Sequence, residues 1–389
     1  MNLLVLNGGS SSIKFSIFAS AEEGSEPSLF LDGELSGTET TGATLSMFQQ
    51  KRTVEGAETP AGAIGIVLDA VRDAGVPIGA VGYRVVHPGA EIREHVPITD
   101  EILKKLQAAA SFAPLHDPEA VEIIRETMRR MPNVPHFACF DTVFHQTMPE
   151  EAYTYAIPAV YRERGVKRYG FHGLSCESVV RQMRNLGPLP RRMVIAHLGS
   201  GCSVTAVVDG ESVDTTMGLT PTGGVVMGTR PGDLDPGLLL YLLRQQEGAD
   251  EPSRLEKMLN HDAGMVALTG LPNDMKAVRK AAKEGNAQAT LALKVFTRSI
   301  RKAIGGFAWL MGGLDAIVFT GGIGEHDAET RAEVLSESEV SINSSLNVAK
   351  SDGIRLISAS DSKTAVFAVP AQEDLVITLH VQRMVQADA

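Results

Sequence analysis

With 389 residues, 43% of them apolar and 21% charged, the chain is long enough for two domains with a full core each, and its composition excludes disorder and membrane insertion. A formal net charge of −11 argues against a nucleic-acid partner and requires that any anionic substrate be drawn by a local arginine cluster. Cys139, Cys176 and Cys202 are odd in number and widely spaced, which excludes a disulfide framework or a zinc signature and leaves buried thiols in a reducing compartment as the expectation.

The first predicted element enters within two residues of Met1, with no charged-then-apolar leader ahead of it, so secretion is not expected and a cytoplasmic location is. It is LLVLNGGSSSIKF from Leu3, an apolar strand, a glycine- and serine-rich turn, and a second strand alternating through Ile13, Phe15 and Ile17. Residues 22–60 show weak alternation among Gly, Thr, Ser and Glu and predict exposed antiparallel strands and turns. Ile64, Val67, Leu68 and Val71 recur at helical spacing, with Gly75 as the stop before a strand at Val81.

In that strand, VGYRVVHPG, alternation puts Arg84 and Val86 on one side and Tyr83 and Val85 on the other. A guanidinium beside a small apolar group suits a short-chain carboxylate with an alkyl tail; the competing reading is an edge-strand arginine bonded to loop carbonyls. Thr99 with Asp100 and Glu101 opens a helix, and Asp117 with Pro118 caps another that carries Val121, Ile124 and Met128. A strand from His136 to Phe140 ends at Asp141, and a loop-rich region to about Gly187 is expected after it.

A second hairpin, MVIAHLGSGCSV from Met193, repeats the device of the first, continuing into Val204, Ala206 and Val208, and so implies duplication of one fold unit. The turn GTRPGDLDP holds Arg230 between Gly228 and Gly232; Asp233 and Asp235 are expected either to orient its guanidinium or to form a purely structural loop with it. Helices near 236–247 and 287–310 lead to a strand at Ala316–Thr320, which runs into the third glycine-rich turn, TGGIGEH. Strands ending in small residues let backbone N–H groups converge on an anion, and three such turns point to several phosphates held at once. The last strand, Ala365–Val369, precedes a helix starting at Gln372 and Glu373 that is expected to return to the N-terminal part.

NGGSSSIKF, GYRVVHPG, APLHDPE, CFDTVFHQTMP, YGFHGLS, HLGSGCSV, TTMGLTPTGGVVMGTRPGDLDP and FTGGIGEH, in this order and over essentially the whole chain, resemble the acetate kinase family. The resemblance implies the α/β fold of the acetate and sugar kinase, heat-shock ATPase and actin superfamily: duplicated ribonuclease H-like domains with mixed sheets flanked by helices and a nucleotide cleft between them. Residues 1–148 plus 374–389 would form the N-terminal domain, and 149–373 the C-terminal domain used for nucleotide binding and dimerisation. It also implies a homodimer and reversible in-line transfer of the ATP terminal phosphoryl group to acetate, giving acetyl phosphate and ADP, with magnesium, or manganese in its place.

Carried over residue by residue, the resemblance puts the family's metal positions on Asn7 and Glu373 and a nucleotide contact on Lys14. Transition-state stabilisers fall on His172 and Arg230, the acyl-substrate arginine on Arg84, and an acid/base aspartate on Asp141. The nucleotide loops fall on His197, Leu198, Gly199, Ser200 and Gly201; on Asp274, Met275 and Lys276; and on Gly322, Ile323, Gly324, Glu325 and His326. The acetyl pocket falls on Val86, Leu115, Phe171 and Pro221, whose apolar members composition alone would assign to core.

Phosphoryl transfer spreads negative charge over three equatorial oxygens, so positioned cations and a metal are the right types. Magnesium keeps several waters, which fits one amide oxygen and one carboxylate. A carboxyl group with a pKa of about 4 is ionised at neutral pH, so orienting an arginine or a metal-bound water is the preferred role for Asp141 over proton transfer. The chain departs from the family's usual Asn at Ser200, Arg at Lys276 and Asn at His326, all on the nucleotide side. Two alternatives follow: propionate in place of acetate, since one methylene is discriminated by only about 1–3 kcal/mol, and pyrophosphate in place of ATP.

Overall fold

The computed structural model describes residues 1–9, 12–19, 26–38, 42–109, 117–245 and 251–387. The chain divides into two compact units, Met1–Val143 together with Gln372–Ala389, and Phe144–Ala371.

The first unit is built on strands β1 (Asn2–Gly9), β2 (Ser12–Ala19), β3 (Ser28–Ser36), β4 (Ala43–Met47), β5 (Gln50–Val54), β6 (Ala80–Val85), β7 (Val96–Pro97) and β8 (His136–Phe140), in the order β5-β4-β3-β2-β1-β6-β8-β7. Strands β1 to β5 are an antiparallel meander, while β1, β6 and β8 are mutually parallel. Leu3, Leu4, Val5 and Leu6 are all buried, the continuous apolar run of a strand covered on both faces. Strand β5, QKRTV, is mostly exposed and polar, which suits an edge that must not recruit another strand.

The helix Pro60–Asp73 begins where Thr59 Oγ1 accepts from Gly62 N at 3.1 Å, with Pro60 in its first turn, and stops before Gly75, whose φ is +71°. Its Ile64, Val67 and Leu68 share a core with Leu4, Leu6, Tyr83 and Val85 on one face of the sheet. The helix Glu373–Ala387 lies against β1 and β6. Gly82 permits that close approach: a Cβ there would lie 2.7 Å from Ile377 Cγ2 and 2.8 Å from Val381 Cγ2. Alternation places Arg84 on the same side as Gly82, the side of this helix.

The second unit carries β9 (Arg192–Leu198), β10 (Cys202–Val208), β11 (Glu211–Thr215), β12 (Ala316–Thr320), β13 (Arg355–Leu356) and β14 (Ala365–Ala368), ordered β11-β10-β9-β12-β14-β13. The run β11-β10-β9-β12-β14 repeats β3-β2-β1-β6-β8 in order and sense, an antiparallel hairpin followed by two parallel additions. The repeated hairpin in the sequence is therefore the visible part of a repeated sheet.

One expectation fails. The region before Gly187 is not loop-rich throughout, because Gly173–Leu186 is a helix whose Cys176, Val179, Val180 and Met183 pack on Met193, Ile195 and Val318. Its buried face also contains Ser175, Ser178 and Gln182, which blurs the apolar period, and its start has no capping side chain. All three cysteines are buried.

Candidate functional site

In the first unit the parallel strands β1, β6 and β8 end side by side, and they deliver Asn7, Arg84 and Asp141 to the carboxyl edge of the sheet, where open α/β sheets bind ligands. Asp141 takes Arg84 in a fork, Nε to Oδ1 at 2.9 Å and NH2 to Oδ2 at 2.5 Å, and NH1 donates to Asn7 Oδ1 at 3.2 Å. Glu373, in the first turn of its helix, accepts from Asn7 Nδ2 at 3.4 Å and comes within 4.0 Å of Arg84 Nε.

Asp141 is 1% exposed and Arg84 16%, so the pair is fixed in a poorly hydrated place. Burial pulls the guanidinium pKa down, but Asp141 and then Glu373 more than offset this and raise it, so Arg84 is permanently charged. Of its five N–H groups, three are engaged among the described residues; one on NH1 and one on NH2 remain, the pair a second carboxylate needs for a bidentate contact.

Val86 lies just beyond the end of β6 at Val85 and is half-buried. Lys14 pairs across the hairpin with Asn7 and is exposed along a cavity of about 710 Å³ that Ser16 and Asp374 also line. Leu115 lies outside the described residues, so its place in an acyl pocket has no structural counterpart here. Asp374 was not foreseen: it is bonded by Ser16 Oγ at 2.5 Å, and burial first, then neighbouring Glu373, raises its pKa. Two consecutive acidic residues opening a helix were the available signal.

In the second unit the turn between β9 and β10 is the meeting point. His172, left-handed at φ 58°, stacks on His197 with ring centroids 4.1 Å apart, and its Nδ1 is 3.0 Å from Ser203 Oγ. A Cβ at Gly201 would lie 3.3 Å from His172 Nε2 and 3.6 Å from Arg230 NH1, so the imidazole and the guanidinium flank one bare stretch of backbone. Arg230 NH1 donates to Pro221 O at 2.9 Å, which brings Pro221 into the same group.

The expectation for Asp233 and Asp235 resolves toward backbone support: Asp233 Oδ1 accepts from Gly224 N at 2.7 Å and Asp235 Oδ1 from Gly237 N at 3.0 Å. Phe171 is fully buried, and its carbonyl accepts from His145 Nε2 at 2.9 Å. Cys202 donates weakly to Gly199 O at 3.4 Å, and burial pushes its thiol up to about 12, so it is inert at neutral pH.

Beside this turn is a cavity of about 680 Å³, within the range of small-molecule sites. Gly199, Ser200, Asp274, Met275, Lys276, Gly322, Ile323 and His326 line it. The other residues of those loops support it from behind: Leu198 and Gly324 are buried, Arg331 NH1 donates to Gly324 O at 2.7 Å, Arg355 NH2 to Glu325 O at 2.7 Å, and Glu325 Oε1 accepts from Ala371 N at 3.0 Å. Asp274 caps its helix by accepting from Lys276 N at 2.9 Å.

Lining residues that sequence reasoning missed include Asn273, Arg279 and Lys283. Lys276, Arg279 and Lys283 recur at three- and four-residue spacing on one helix, a stripe that could have been read, but Glu329 holds Lys283 at 2.6 Å and Asp274, Glu284, Asp327 and Glu329 line the same cavity, so its lining is mixed in charge. Arg279 is itself held by Asp327 and Glu333 at 2.8 Å.

The model of the acetokinase family matches residues 2–379. The acetate kinase of Halothermothrix orenii is 38% identical over 412 residues, covering 100% of both chains. Among solved structures, Porphyromonas gingivalis acetate kinase superposes with a TM-score of 0.86 at 32% identity, covering 99% of each chain. A propionate kinase from Francisella tularensis does so with a TM-score of 0.88 at 33% identity, covering 97% of each.

Proposed function

This chain belongs to the acetokinase family, and from that premise we propose that it transfers the terminal phosphoryl group of ATP reversibly to acetate, giving acetyl phosphate and ADP. The observation that carries the reading is Arg84, a permanently charged guanidinium with two N–H groups left over from the Asp141 and Asn7 contacts; half-buried Val86, two residues on, is the apolar neighbour the sequence offers. A carboxylate taken end-on by that fork presents an oxygen for in-line attack on phosphorus, with its alkyl group toward Val86.

Asp141 is a positioning residue in this mechanism: both of its oxygens are occupied by Arg84, so its contribution is to fix the fork rather than to move a proton. Arg230 and His172, converging at Gly201, are the groups that neutralise the moving phosphoryl group, worth several kcal/mol when pre-organised in this way. Asn7 and Glu373 fit a magnesium ion in donor type: both offer hard oxygens, and Asn7 Oδ1 retains a lone pair after accepting from Arg84. When bound, the ion offsets phosphate charge.

The cavity of about 680 Å³ beyond Gly199 and Ser200 supports ATP over pyrophosphate, because a donor without a nucleoside has no use for such a volume. The protein is further read as a cytoplasmic homodimer. In support, Trp309 is 87% exposed and Leu310, Leu240 and Tyr241 are also exposed on helices of the second unit, and no described helix is long and apolar enough to cross a membrane. A sedimentation mass of one chain would refute the dimer.

The test of the reaction is acyl hydroxamate formation from hydroxylamine with acetate, propionate or butyrate against ATP or pyrophosphate. Acetate with ATP should have the highest kcat/KM. A clear preference for propionate, or turnover with pyrophosphate and none with ATP, overturns the corresponding half of the proposal.

A further inference from the structure

We propose that Asn273 and Ser200 form a two-residue donor for a phosphate oxygen of the bound nucleotide. The inference deepens the nucleotide reading of the cavity and rests on it.

Both residues line that cavity, and Asn273 Nδ2 donates to Ser200 Oγ at 3.0 Å across 73 residues of sequence. The amide is held flat from behind by Gly228, where a Cβ would come within 2.1 Å of Asn273 Oδ1 and 2.8 Å of Nδ2. Gly228 N in turn donates to Ser200 O at 3.2 Å, so Ser200, Asn273 and Gly228 close a triangle around the phosphate turn. No side chain other than hydrogen fits at Gly228 while Asn273 keeps this place.

The donor count explains the arrangement. An asparagine amide offers two N–H groups, a serine hydroxyl only one O–H. With Asn273 donating one N–H to Ser200 Oγ, the serine oxygen is satisfied as an acceptor and its own proton is polarised for donation. A second N–H remains on Asn273. The pair together recovers the two donors that a single asparagine at position 200 would supply, and it does so from a helix-capping loop anchored at Asp274.

ADP and adenosine binding by calorimetry, with the KM for acetate, test the pair in the full-length protein. Asn273→Ala should weaken ADP by about 10-fold, the scale of a charge-assisted hydrogen bond, with adenosine and the KM for acetate each within about twofold. The exchange variant carrying Ser200→Asn with Asn273→Ser should restore ADP to within about threefold of the parent. Unchanged ADP binding in Asn273→Ala, equal weakening of ADP and adenosine, or failure of the exchange to restore affinity would each overturn the proposal. Because the readout is ADP binding, it fails or stands separately from acetate phosphorylation by the unaltered protein.

Discussion

Replacing Arg84 by lysine keeps a positive charge and removes the fork, which separates electrostatics from geometry. Arg84 uses three N–H groups on Asp141 and Asn7 and has two left for a substrate carboxylate, whereas one ammonium has three donors from a single nitrogen and cannot reach all of these acceptors. Asp141, 1% exposed, will retain one of its two contacts at most, and the bidentate substrate contact is lost. Losing one to two charge-assisted hydrogen bonds costs about 2–4 kcal/mol, or roughly 30- to 900-fold in kcat/KM for acetate. The loss should fall mainly on acetate: binding of ADP at the second unit's cavity should be unaltered. Hydroxamate formation across an acetate series, with ADP calorimetry alongside, measures both. An Arg84→Lys protein whose KM and kcat for acetate lie within about threefold of the parent would refute the fork as the carboxylate anchor.

Two further outcomes follow from the framework. His145 is buried with Nε2 on Phe171 O and Nδ1 on Ser212 Oγ, both at 2.9 Å, and burial lowers its pKa to about 4. The unfolded chain therefore binds a proton near pH 6.5 that the folded one refuses, so this stabilisation is complete above pH 6.5 and drains away toward pH 4, by about 3 kcal/mol in all. Urea midpoints of the parent and His145→Gln should converge as pH falls from 7.5 to 4.5; parallel lines would contradict this. Gly82→Ala places a methyl against Ile377 and Val381 and should destabilise the first unit by about 1–3 kcal/mol, read as faster proteolysis of the 373–387 helix; unchanged protection there would show that the helix is not seated as described.

What the sequence made legible were features written locally. Two hairpins of the same kind announced a repeated sheet, whereas the alternation that grouped Arg84 with Val86 runs past the end of β6 at Val85. The helix Gly173–Leu186 escaped because buried Ser175, Ser178 and Gln182 interrupt its apolar stripe. Asn273 escaped for a different reason: its importance lies in Ser200 and Gly228, distant residues that only tertiary folding brings to it. The work of Asp233 and Asp235 was likewise open, since an aspartate near an arginine in a turn serves backbone amides as readily as a guanidinium.

The return of Gln372–Ala389 to the first unit sets an order of events during synthesis. Residues 1–143 leave the ribosome early, yet the face of β6 that Ile377 and Val381 cover stays bare while residues 144–371 are made, roughly 10 to 50 s at about 5–20 residues per second. Glu373 arrives with that same late segment. The nascent chain is thus barred from closing its first-made unit until residues 373–387 have been made, and a chain cut short before them would have an open apolar flank and no Glu373 beside Asn7.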